Sequence, residues 1–156
     1  MWLDLKEEIE LELAMLRELL ESVQALRAQC QVSVPDLVET MALGAFLHAF
    51  YNGVENAFKR IAIHMDGGMP KGANWHQALL DSMNRPGETR PAVISPELRH
   101  LLEAYLDFRH RFRNLYTHKL DWELMADLVH GCENTLDRLE RELSSFLEAA
   151  GHGTQP

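Results

Sequence analysis

The 156-residue sequence predicts an all-α protein, an antiparallel bundle of four main helices and one short helix. Three observations carry that prediction. Apolar residues recur at steps of three and four along most of the chain. No segment shows the apolar–polar alternation of a strand. Ser-Pro, Asp-Gly-Gly and a Pro/Gly-rich stretch divide the chain into helix-sized blocks.

The first predicted helix spans about 2–30, with Ile9, Leu13, Leu16, Leu20 and Val23 on one stripe and glutamates largely off it. Ser33 and Pro35 restart the chain, and the second helix runs from about 35 to 65. It carries Leu37, Met41, Phe46, Leu47, Phe50, Val54, Phe58, Ile61 and Ile63, which makes it the most buried element expected. Asp66-Gly67-Gly68-Met69-Pro70 stops it. A short helix covers about 74–83, and 84–94 is a loop. Ser95-Pro96 opens the fourth helix, with Leu98, Leu101, Leu102, Tyr105, Phe108, Phe112 and Leu115 at helical steps. A turn is expected near 117–120, because Asp121 caps the last helix, about 121–149. Gly151 should end that helix, leaving 151–156 as a frayed tail after one domain over 1–150.

Composition narrows the function. Hydrophobic residues make up 46% of the chain, too many for a disordered segment. No apolar run nears the roughly 18 residues that span a bilayer, so no membrane partner is expected. Trp2, Leu3 and Asp4 lead into an acidic pattern unlike a secretory signal, which predicts a cytoplasmic protein. Cys30 and Cys132 form neither CxxC nor zinc spacing and read as reduced thiols. The net charge of −9 argues against coating nucleic acid by bulk charge. The span Arg99–Lys119 nevertheless holds five basic residues against two acidic ones. Such an island suits a local phosphate site, or an ordinary helix face with surface arginines.

The segment Arg109-His110-Arg111-Phe112-Arg113-Asn114-Leu115-Tyr116-Thr117-His118 lies in that island. If the helix continues, Arg109, Arg113 and Tyr116 line a flank about 100° from the stripe of Phe108, Phe112 and Leu115. His110 and Asn114 lie further round. Arg113 and His118 would point about 140° apart in a straight helix, so a break or a second subunit must bring them together. An Arg–His pair fits RNA cleavage. Histidine exchanges protons near neutrality, arginine steadies charge on a phosphate, and Asn114 could add a donor. RNA supplies its own 2′-hydroxyl nucleophile, so no metal or cofactor is required. The plainer reading is basic decoration of a helix end.

Other groups have similar double readings. Tyr51, Glu55 and Lys59 share a helix face, as a salt-bridged patch or with Glu55 orienting Arg113. Glu97-x-x-His100 and Asp127-x-x-His130 resemble the ligand pairs of di-metal bundles, although Glu97 falls at a bundle end. Trp75 and His76 read as bundle caps, Trp75 with a possible RNA-stacking role, and Arg85 and Arg90 as loop residues that touch RNA or nothing.

Several blocks together resemble a known superfamily. Arg113-Asn114-Leu115-Tyr116-Thr117-His118 matches the Arg-x(4–6)-His motif of HEPN proteins, with a polar residue after the arginine. Phe50-Tyr51-Asn52-Gly53-Val54-Glu55-Asn56-Ala57-Phe58-Lys59-Arg60-Ile61-Ala62 is similar to the second helix of the HepT-like group of ribonuclease toxins. Pro70-Lys71-Gly72-Ala73-Asn74-Trp75-His76 and Leu120-Asp121-Trp122-Glu123 extend the likeness over roughly 45–145. The resemblance implies a metal-independent endoribonuclease acting on RNA as a homodimer, partnered by a nucleotidyltransferase-type antitoxin. It assigns catalysis to Arg113 and His118 with Asn114 in support, and leaves Arg109, His110, Tyr116 and Glu55 as secondary candidates. HepT proteins often carry a tyrosine two residues after the histidine, the site modified by the partner; here Leu120 stands there. The alternative is a non-catalytic HEPN bundle that only binds a nucleotidyltransferase or another regulator.

Overall fold

The computed structural model describes residues 2–152 as an all-helical bundle. Its elements are α1 (Trp2–Ser22), α2 (Gln24–Gln29), α3 (Leu37–Met65), α4 (Trp75–Met83), α5 (Pro96–Arg113), a 3-10 turn (Thr117–Lys119) and α6 (Trp122–His152). The four long helices α1, α3, α5 and α6 pack in a ring, each antiparallel to the next. Glu8 of α1 meets Arg60 and His64 near the end of α3. Phe112 of α5 meets His48 while Tyr105 meets Phe50. Ser95 before α5 bonds Glu142 late in α6, and Arg17 of α1 reaches Asp137 and Glu140 of α6. The short α4 lies against α3 and α5.

Helix α3 is the centre of the core, as its apolar content predicts. Leu43, Leu47, Phe50, Val54, Phe58 and Ile61 are fully enclosed. Gly53 lets α1 approach: a Cβ there would stand 2.5 Å from Leu16 Cδ2. On α6, Met125, Val129, Cys132, Leu136, Leu139 and Leu143 bury at alternating steps of four and three, one continuous stripe. Cys30 and Cys132 are free and buried, and burial pushes both thiols up, which keeps them protonated and unreactive.

Four boundaries differ from the sequence reading. The first helix breaks at Val23, where the Val23 N–H turns to Leu20 O and the Arg27 guanidinium also donates to that carbonyl. The cap of α3 is Asp36, not Ser33. Its carboxylate accepts from the Glu39 N–H at 2.8 Å, while Glu39 accepts from the Asp36 N–H at 3.0 Å. Helix α5 ends at Arg113, before the expected turn at 117–120. Helix α6 runs through Gly151 to His152, which corrects the frayed tail expected from 151; the rest of that tail, 153–156, lies outside the described residues.

The loop from 84 to 94 is pinned at both ends. Met83 O accepts from the Val93 and Ile94 N–H groups. Arg90 is buried there, with Nε and Nη2 on the two Asp66 carboxylate oxygens at 2.8 Å and Nη1 on Arg85 O and Pro91 O. Arg90 thus clamps the loop to the end of α3, which is a structural task and corrects its reading as a loop arginine free for RNA.

Candidate functional site

The site is built where α5 crosses α3. The face that α5 turns to α3 carries Leu98, Leu102, Tyr105 and Leu106, all buried, and Arg109 continues the same line. On a helical wheel Arg109 falls within about 40° of Leu98, Leu102 and Tyr105. Arg109 is therefore 6% exposed, not at the rim of the core. The expected flank of Arg109, Arg113 and Tyr116 does not form: one member is buried, one ends the helix, and one lies beyond it.

A charge placed in a core line needs a partner, and α3 supplies it. Glu55 is 3% exposed and accepts from Arg109 Nη1 at 2.9 Å through Oε1. Its Oε2 accepts from His76 Nδ1 at 2.7 Å. Arg109 Nη2 lies 3.0 Å from the same nitrogen, and Lys59 Nζ 3.9 Å from Glu55 Oε1. The Trp75 ring stacks on His76 at 3.6 Å, with Lys59 Nζ 4.9 Å from the Trp75 ring centre. Glu55 therefore orients Arg109 and not Arg113, and one carboxylate ties α3, α4 and α5 together.

Beyond Arg109 the basic island opens to solvent. Arg99 is paired with Asp81 at 2.6 Å and with Glu103. Arg111, Arg113 and Lys119 are exposed, and among the described residues no carboxylate pairs with them. Asn114 closes α5, and its Nδ2 donates to His110 O at 3.2 Å. His110 is exposed, its ring edge-on to His76 at 5.9 Å. His118 sits in the 3-10 turn with its ring 5.8 Å from that of Tyr116, which is 78% exposed. No hydrogen bond or ring contact joins Arg113 to His118 among the described residues. Leu120 packs inward: a Cβ on Gly44 would stand 2.5 Å from its Cδ1 and 3.2 Å from Phe112 Cε2. The turn is thereby seated on α3 one helical turn before His48.

His48 is the residue that sequence reasoning missed. It is half-buried on α3, with its ring 5.1 Å from that of Phe112. Its Nδ1 is enclosed and has no hydrogen-bond partner among the described residues. Burial, then the charges of Arg109 and Arg113, pull its pKa below the ordinary value. The signal was present in the sequence. His48, Asn52, Glu55 and Lys59 fall at steps of four, three and four, one polar line beside the apolar face of the helix.

The two His-containing pairs do not converge. Glu97 and His100 lie at the start of α5 and Asp127 and His130 near the start of α6, at opposite ends of antiparallel helices. His130 instead meets Gln31 at 3.0 Å and the Trp122 ring edge-on. Among the described residues no three His, Cys, Asp or Glu side chains gather as a metal site would require, and no helix is long and apolar enough to cross a membrane.

A family model described as a HepT-like protein matches residues 42–150, a span that holds α3 from Ala42 onward, α4, α5, the turn and nearly all of α6. Neither a curated protein nor a solved structure matches the chain.

Proposed function

This chain belongs to the HepT-like protein family, and on that premise we propose that it is a cytoplasmic, metal-independent endoribonuclease. The observation that carries the reading is the run of exposed cations Arg111, Arg113 and Lys119, unpaired among the described residues, along the last turn of α5 and the 3-10 turn that carries His118. An uncompensated cation cluster is a site for a phosphate. The 2′-hydroxyl attacks the adjacent phosphorus, the 5′-oxygen leaves, and a 2′,3′-cyclic phosphate remains. Arg113 steadies the charge that develops on the phosphate oxygens. His118 transfers the proton, and Asn114 supplies a further donor.

The site is completed in a homodimer. Within one protomer nothing joins Arg113 to His118, so a two-fold axis through the turn sets Arg113 of one copy near His118 of the other. The exposed Leu115 and Tyr116 beside the turn support a contact there. Neutralisation falls to a nucleotidyltransferase-type antitoxin, by direct binding of its acidic residues to Arg111 and Arg113. The test is cleavage of a defined RNA by the purified protein in the presence of EDTA. Cyclic-phosphate ends are expected, and Arg113→Ala and His118→Ala should each lower the rate by about 10²-fold or more. Both side chains are exposed, so these variants keep the fold. Intact RNA with the wild-type protein would favour the bundle as a regulator-binding module.

A further inference from the structure

We propose that His48 is the second proton-transfer group of this site, the base that takes the 2′-hydroxyl proton through Nε2 while His118 protonates the departing 5′-oxygen. The proposal rests on the ribonuclease reading and deepens it. In-line attack on an RNA phosphate moves two protons, one from the attacking hydroxyl and one to the leaving oxygen. Two groups in different protonation states serve this better than one.

The geometry singles out His48. It stands on α3 opposite the end of α5, its ring against Phe112, the residue just before Arg113. The turn through which the two-fold is placed is seated on the same helix through Leu120 and Gly44, so the two-fold brings the second copy's His118 to this end of α3. Nδ1 faces the packed interior without a partner, whereas Nε2 has none among the described residues and is not enclosed. Only Nε2 can therefore exchange a proton with a bound molecule. The charges that act on the ring are those of Arg109 and Arg113 from α5; Glu55 stands two turns further along α3, and the turn packed on α3 carries His118 and Lys119. Glu55 is engaged by Arg109 and His76, so no carboxylate holds a proton on His48. Burial and the two arginines favour the neutral ring, as a base requires.

In the step, the O2′–P bond forms as the 2′-hydroxyl proton passes to Nε2. The P–O5′ bond breaks as a proton passes from His118 to O5′. The products are a 2′,3′-cyclic phosphate and a 5′-hydroxyl, and water returns both rings to their starting states.

The test is the pH–rate profile of His48→Gln, which keeps a polar group near the Nε2 position but cannot titrate. The expected result is a rate lower by about 10²-fold or more, with loss of the rise on the acid side of the profile. A second substrate separates base from acid: an RNA with sulfur at the bridging 5′ position, whose leaving group needs no protonation. That RNA should restore cleavage to His118→Ala and not to His48→Gln. On the wild-type protein, the acid-side rise must coincide with titration of the His48 ring followed by NMR, which holds even if the variant folds poorly. Wild-type rate and profile in His48→Gln, rescue of that variant by the sulfur substrate, or a mismatch with the ring titration would overturn the assignment. Absence of any cleavage by the wild-type protein would instead sink the ribonuclease reading beneath it.

Discussion

Removing the Glu55 carboxylate should damage this protein more than its surface ion pairs suggest. Glu55→Ala leaves the Arg109 guanidinium in a site only 6% exposed, with its Nε already without a partner among the described residues. It also removes the acceptor of the 2.7 Å His76 bond and the anion nearest Lys59. A buried charge stripped of its partner costs about 3–5 kcal/mol. For a chain of this length that lowers the melting temperature by roughly 6–20 °C, at roughly 2–4 °C per kcal/mol. The assay is urea unfolding of Glu55→Ala, Arg109→Met and the double variant Glu55→Leu/Arg109→Met. The double variant should regain most of the loss, because two apolar side chains of similar volume suit a core line better than one orphaned cation. Asp137→Ala is the control: its bond to Arg17 is largely exposed and should contribute about 1 kcal/mol or less. A Glu55→Ala loss no larger than the control's would refute the claim that the pair is buried and obligatory.

Three further outcomes are expected. Gly44→Ala should lower the melting temperature, because about 1–3 kcal/mol of overpacking against Leu120 and Phe112 outweighs about 1 kcal/mol of helix propensity; adding Leu120→Ala should reverse the sign. Stability should fall as pH drops through about 6.5, since the unfolded chain then takes up a proton that native His48, held below its ordinary pKa, refuses. One such group contributes at most about 1.4 kcal/mol per pH unit, and His48→Gln should flatten the urea midpoint against pH by that share. Incubation with a nucleotidyltransferase of the proposed antitoxin type and ATP should inhibit the protein without a mass increase; an added nucleotide would map to Tyr116, since Tyr51 and Tyr105 are buried, and Tyr116→Phe would then escape.

How much of this was legible depended on the range of the interaction concerned. The start of α5 could be read because its signal is local: Ser95 accepts from the Leu98 N–H, with Pro96 in the first turn. The cap of α3 was equally local, yet Ser33 and Pro35 drew attention from the Asp36-x-x-Glu39 box. The four-helix architecture followed from periodicity, and the structure keeps it. The end of α5 was harder, because Arg111 to Tyr116 contains no glycine or proline and the helix stops where the turn must seat Leu120 on Gly44. Arg109 could not be placed from the sequence. Its burial depends on Glu55, 54 residues away, and on His76, which no spacing rule connects to it. His48 was hidden for the opposite reason, a histidine set among large apolar residues in the first half of a long helix.

The pairing of the first and last helices has a consequence for how the protein is made. Arg17 finds Asp137 and Glu140 across some 120 residues of chain, and Trp2 lies against Gly151. A ribosome adding about 5–20 residues per second needs on the order of ten seconds to travel from the end of α1 to the middle of α6. Throughout that interval Leu5, Ile9, Leu16 and Leu20 lack the cover that α6 supplies. The nascent chain thus offers a greasy, half-closed cleft to chaperones. It becomes a finished molecule only when α6 emerges, after both Arg113 and His118 have been synthesised.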